Sequence, residues 1–236
     1  MLSESLYPTL QMLEITLRNT LHNAASEHFK NEWWFQNIEI IRFPNELQAL
    51  AKAKATLQRQ NKPITPGRLI AELNFGFWTS LMDKRYEHNQ VLWPTLLKTA
   101  FPHMPKRIRK RQTLSKRFHK IRNLRNRIFH HEPIWYWQDL KQQHQQIIEA
   151  IGWIEPAAKE IITLIDRFPE IHQTGTENIS KALVLLDQPE SKPKQPIYLE
   201  QEVYQYFSEK AKAKGVGINT MINERLKKYI AEDTKQ

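Results

Sequence analysis

The stretch RQTLSKRFHKIRNLRNRIFHHEP, residues 111–133, decides the fold class. Leu114, Phe118, Ile121 and Ile128 recur at the three-and-four spacing of one helical face. Pro133 disfavours helical geometry at Glu132, so the spacing predicts a helix over 111–130 that ends near His130 and His131. Arg125 stands at +7 from Phe118 and +4 from Ile121, inside the apolar stripe. A guanidinium in that position needs a carboxylate, a polar pocket or a phosphate to satisfy it. The two histidines are expected at the negative end of the helix dipole, free to project into a cleft.

Outward from this segment the same periodicity returns. Leu6, Leu10, Leu13, Leu17, Leu21 and Ala24 trace a helix over 6–29, and helical signals follow at 45–60, 66–82, 91–100, 136–150, 156–168 and 178–187. Thr65 and Pro66 suit the cap and first turn of the 66–82 helix. Six glycines and few alternating runs leave little room for a sheet. The expectation is a mainly α chain: a helical bundle over 1–187, a polar linker QPESKPKQ at 188–195, and a small module over 196–236. That module reads as a short extended piece at Pro196–Leu199, a helix at about 200–214, the turn Gly215-Val216-Gly217 and a helix at about 218–231.

Composition narrows the classes. The chain has no cysteine, which removes disulfides and thiolate metal sites and suits a reducing, cytoplasmic setting. The N-terminus lacks the basic-then-apolar order of a signal peptide, and no run approaches the roughly 18–20 apolar residues of a membrane span, so no membrane association is expected. The formal net charge is +10. Between Glu87 and Glu132 there is no acidic residue, while Lys98, Lys106, Arg107, Arg109, Lys110, Arg111, Lys116, Arg117, Lys120, Arg122, Arg125 and Arg127 supply twelve cations. The rest of the chain is net negative. Twelve like charges in one segment repel each other, which favours a nucleic-acid surface over a merely solvated face. Trp33, Trp34, Trp78, Trp93 and the run Trp135-Tyr136-Trp137 are a weaker signal: stacking on bases is one use, but core packing or a dimer surface is the commoner one.

Helix 6–29 offers a partner for Arg125. Glu14 lies beside its apolar stripe, four residues before Arg18 in the favourable order for an intrahelical pair, with Asn19 next to it. Other chemistries find no support. HEPIW, from His131, is not a two-histidine zinc motif, and there is neither a glycine-rich phosphate loop nor a serine elbow.

Arg125-Asn126-Arg127-Ile128-Phe129-His130 resembles the HEPN ribonuclease signature, an arginine followed by a polar residue with a histidine four to six positions on. RNLRNRIFHHEPIW, LEITLRNTL (13–21) and GRLIAELNFGFWTSL (67–81) are similar, in order, to stretches of Abi-like abortive-infection proteins. The resemblance implies a metal-independent endoribonuclease without cofactor, a toxin or antiphage effector, whose arginine–histidine pairs meet at the interface of a homodimer or higher even oligomer. RNA carries its own 2′-hydroxyl nucleophile, so the site needs a proton-transfer group, His130, and a cation over the scissile phosphate, Arg125. Asn126 would orient the phosphate or the histidine, with Glu14, Arg18, Asn19 and His131 in supporting places. Lys106, Arg107, Arg109, Lys110, Arg111, Lys116, Arg117, Lys120 and Arg122 would carry the RNA, and a separate antitoxin is an implied partner.

The stretch 196–231, with KAKGVGINTMINERLKKYI at its heart, looks like a ribbon-helix-helix domain of the antitoxin type. In that fold Lys194, Pro196 and Tyr198 would face outward from paired strands, and the amides near Gly217–Thr220 would meet phosphate. Pro196 and Tyr198 are poor base readers, so dimerisation and DNA binding stand as equal expectations for the tail. The competing reading of the whole chain is a non-catalytic nucleic-acid-binding regulator with a DNA-binding tail. His130 separates the two, since a binder does not need it.

Overall fold

The computed structural model describes residues 1–175 and 199–233, and the chain divides into two compact units, Met1–Asn178 and Ile179–Gln236. The linker 188–195, the helix expected at 178–187, and Lys194, Pro196 and Tyr198 lie outside the described residues. The described residues are mainly helical and contain no strand.

In the first unit the helices are α1 (Leu2–Ser5), α2 (Tyr7–Phe29), α3 (Pro44–Arg59), α4 (Pro66–Glu72), α5 (Phe75–Ser80), α6 (Leu97–Ala100), α7 (Arg111–Phe129), α8 (Leu140–Ile154), α9 (Pro156–Ile165) and α10 (Phe168–Thr174). Helix α2 packs on α8, α5, α6 and α9, because Leu10, Leu13, Leu17, Leu21 and Ala24 bury one continuous stripe. Each such leucine removed from water stabilises the fold by roughly 1.5–3 kcal/mol. Helix α7 closes over α5 and α8 with Leu114, Phe118, Ile121, Leu124 and Ile128.

Several expected helices are shorter or broken, for local reasons. The single helix read over 66–82 is two. Leu73 is extended, and the Asn74 side chain then accepts from the Phe77 amide at 3.0 Å to start α5 afresh. Thr65 caps α4 with Pro66 in its first turn, as the sequence indicated. The helix expected at 91–100 is confined to Leu97–Ala100, and 156–168 divides into α9 and α10 at Asp166, whose carboxylate accepts from the Phe168 amide.

Most of the tryptophans are core. Trp34, Trp78 and Trp93 are buried, and their indole N–H groups donate to His22 Nδ1, Leu73 O and Leu81 O. Trp135 and Tyr136, by contrast, are exposed. Burial also places an ion pair of Glu46 with Arg85 at 2.5 Å, and a polar contact of His144 Nε2 with Asp166 Oδ2 at 2.8 Å, inside the unit. Desolvation of the His144 ring holds its pKa below the usual histidine value although Asp166 pulls the other way.

Among the described residues the second unit holds a helix pair, α11 (Gln201–Lys214) and α12 (Ile218–Asp233). Gly215 ends α11 in the left-handed region at φ +64, a conformation glycine adopts without steric cost. Ala211, Met221 and Ile222 are buried around the turn, and Phe207 and Ile218 are half-buried. The apolar side of the pair is only partly covered: Val203 and Leu226 are 40% and 44% exposed, and Ile230 is exposed as well.

Candidate active site

The C-terminal end of α7 and the middle of α2 build the site. Arg125 leaves the apolar side of α7 and reaches Glu14 on α2, whose Oε2 accepts from Nε at 3.1 Å and lies 3.0 Å from Nη2 in an ion pair. The two side chains are 21% and 23% exposed, so the pair sits at the edge of the core rather than in bulk water. The guanidinium carbon also lies 4.3 Å from the centre of the Phe129 ring and 5.8 Å from that of Phe75, and Phe129 in turn rests against Tyr7 at 5.3 Å. A carboxylate and an aromatic face therefore fix the orientation of Arg125. No described residue takes Nη1.

Helix α7 stops where Pro133 requires. His130 is its C-cap, with its amide donating to Asn126 O at 2.9 Å. His131 turns into the left-handed region at φ +58, and the Glu132 amide closes back on Arg127 O. His131 therefore does not continue the helical rotation: the backbone reverses there. Asn126, His130 and His131 are all exposed. Arg127 pairs with Glu132 at 2.6 Å and lies over Trp137, which pins the turn from outside. Arg125 and His130 are five residues apart, about 140° around a helix axis, so one chain presents them on different sides of the helix end.

The pairing of Glu14 with Arg125 is the one the sequence indicated. Arg18 takes the other course: its Nε donates to Asn19 Oδ1 at 3.3 Å, and Glu14 is left to Arg125. The basic segment is also less bare than its sequence implies. Acidic residues from elsewhere reach it: Glu87 pairs with Arg111, Glu149 with Arg117 and Asp139 with Lys120. Asp139 is accordingly held below the usual carboxylate range, chiefly by its hydrogen bond from Lys120. Arg109 donates to the carbonyls of Met104 and Pro102, and Arg117 also lies over Trp153. Repulsion among twelve cations is thus relieved within the fold. Lys106, Arg107, Lys110 and Lys116 are exposed and make no ion pair among the described residues.

Sequence reasoning missed the aromatic seat of Arg125, because Tyr7, Phe75 and Phe129 are scattered and read singly as core. It also missed the polar cavity beside the middle of α7. Among the described residues no three His, Asp or Glu side chains come together as a metal-ligand group. Comparison with known protein families, with curated proteins and with solved structures finds no match for the chain.

Proposed function

We propose that this protein is a metal-independent endoribonuclease of the HEPN, abortive-infection kind, acting as a dimer through Arg125 and His130. One observation carries the reading: a guanidinium clamped by Glu14 and Phe129, with Nη1 still open, on the same helix that ends in an exposed histidine. In the reaction the 2′-oxygen bonds to phosphorus and the bond from phosphorus to the 5′-oxygen breaks. One proton leaves the 2′-hydroxyl and another reaches the departing 5′-oxygen, while negative charge grows on the phosphoryl oxygens. Arg125 answers that charge, and histidine is the side chain whose ordinary titration suits both proton transfers. Two transfers call for two histidines, and the reversed backbone at His131 makes it a poor second, so His130 of a second protomer completes the site.

The test is incubation of the full-length protein with total RNA, with and without EDTA, followed by end-group analysis. Cleavage in both, leaving 2′,3′-cyclic phosphate or its hydrolysis product, is expected. Intact RNA, or cleavage only without EDTA, overturns the proposal.

The tail fits the same scheme. The exposed Val203 and Leu226 would meet a second copy, giving four helices one core. Light scattering at micromolar protein is expected to show a dimer or higher even oligomer. Removing 190–236 should weaken association without unfolding the first unit. A monomeric full-length protein would refute this account of the tail.

RNA affinity should fall steeply with salt. Reversing Lys106, Arg107, Lys110 and Lys116 to glutamate should weaken binding alike for all sequences and flatten the salt slope by about 0.7 per lost contact. Reversing Arg109 and Arg111 instead should destabilise the fold, because those side chains hold Met104, Pro102 and Glu87. An unchanged slope in the first variant would show those four cations to be a solvated face.

A further inference from the structure

A polar cavity of ≈ 390 Å³ opens between α3, α5 and α7, lined among others by Glu46, Ser80, Asp83, Arg85, Ser115 and Arg122. The geometry points to this cavity as a binding site for a phosphate-bearing nucleotide, with Arg122 and Arg85 on the phosphate. The inference needs the cavity alone and stands whether or not Arg125 and His130 cleave RNA.

Arg122 is the decisive residue. Along α7, Arg111, Arg117, Lys120, Arg125 and Arg127 each have a carboxylate partner. Arg122 has none among the described residues: its Nη1 reaches Thr79 Oγ1 at 3.4 Å and its Nη2 reaches His119 Nδ1 at 3.1 Å. A half-buried guanidinium without a counter-ion, on a helix whose other arginines are each paired with a carboxylate, leaves room for an anion supplied from outside. The opposite wall presents a second guanidinium in a fixed place. Arg85 Nη2 is bound to Glu46, which is 1% exposed, and its carbon stacks 4.3 Å from the Phe43 ring centre. No described residue takes Arg85 Nη1.

Why a nucleotide rather than a bare phosphate follows from the rest of the lining. The volume is in the range of small-ligand sites and well above that of one phosphate. Asp83, whose Oδ1 accepts from the Arg85 amide, and Asn45 stand in the same lining. Their oxygens suit donors such as ribose hydroxyls or an exocyclic amine, and a carboxylate would repel a second phosphate. Ser80 and Ser115 add hydroxyls that serve either end. Two sources have this chemistry: a nucleotide of an RNA strand, and a free mononucleotide. Arg122 and Arg125 are three residues apart on α7, about 4.5 Å along the axis, so a strand reaching Arg125 can reach this cavity too.

The experiment is calorimetric titration of the full-length protein with the four nucleoside 5′-monophosphates, with inorganic phosphate, and with a 5′-phosphorylated 2′-O-methyl pentanucleotide that cannot be cut. A mononucleotide should bind more tightly than phosphate, and Arg122→Gln should weaken it at least about tenfold, the loss expected for hydrogen bonds to a charged group. Ser115→Asp, which sets a negative charge in the cavity without removing an arginine, should do the same and serves if Arg122→Gln does not fold. Competition between mononucleotide and pentanucleotide assigns a terminal or free nucleotide. Pentanucleotide binding alone, lost in both variants, assigns a nucleotide within a strand. If no nucleotide binds better than phosphate, or if both variants fold and bind as wild type, the cavity is not a nucleotide site. Cleavage by His130→Ala is scored separately, so failure of the one reading is distinguishable from failure of the other.

Discussion

His130→Ala is expected to lose RNA cleavage by roughly 10²–10⁴-fold, the range for removing a proton-transfer group, while its melting temperature and RNA affinity stay near wild type. The separation follows from where His130 stands. Its side chain is exposed, and its structural duty is carried by the backbone amide that donates to Asn126 O, which alanine keeps. A surface change of this kind usually shifts stability by no more than about 0.5 kcal/mol. In the proposed function binding would rest on exposed cations elsewhere on the segment, Lys106, Arg107, Lys110 and Lys116. His131 is the internal control. It holds a left-handed backbone at φ +58, so His131→Gly should relieve strain and stabilise the turn by up to about 1 kcal/mol with cleavage retained. RNA cutting by His130→Ala at the wild-type rate would remove the nuclease assignment and leave a nucleic-acid-binding regulator in its place.

Periodicity made the long elements of this fold legible, since α2, α3, α7 and the two tail helices each carry an apolar stripe that a packed neighbour must cover. The breaks were less legible. Asn74 interrupts 66–82 with a side-chain cap, and helical pattern alone cannot tell a residue that rides within a helix from one that restarts it. The Arg125–Glu14 contact could be anticipated because an arginine in an apolar stripe must find a partner, and helix 6–29 carried one acid beside its own stripe. No such logic reached Glu87, Glu149 and Asp139, exposed or half-exposed residues that become partners of the basic helix only when the chain folds. Charge counted along the sequence therefore overstated the free cationic surface. The same folding left Arg122 as the arginine of α7 with no carboxylate among the described residues, a property invisible in a row of twelve cations.

Arg125→Ala should also stop cleavage, by roughly 10²–10³-fold if its role is to meet charge on the phosphoryl group, but unlike His130→Ala it should cost stability. It strips Glu14 of its hydrogen bond and its ion pair while that carboxylate is only 23% exposed, and it uncovers the Phe129 ring. A polar group left unsatisfied in such a place costs about 1–3 kcal/mol. The double variant Glu14→Ala, Arg125→Ala then removes the stranded carboxylate and should recover part of the loss, so the two substitutions are non-additive. Glu14→Gln keeps an acceptor for Nε but drops the charge, and should lower cleavage less than Arg125→Ala while leaving the histidine side of the pH profile in place, as befits a positioning residue. Arg125→Lys keeps the charge yet loses the fork that lets one face bind Glu14 and another stay open, so it should not restore activity. Thermal melts of these four variants and of Glu14→Ala alone, set beside their single-turnover cleavage rates, decide the matter. Additive stability losses would mean that Glu14 does not hold Arg125 in solution, and cleavage by Arg125→Ala at the wild-type rate would mean that the guanidinium is a structural strut with no part in the chemistry.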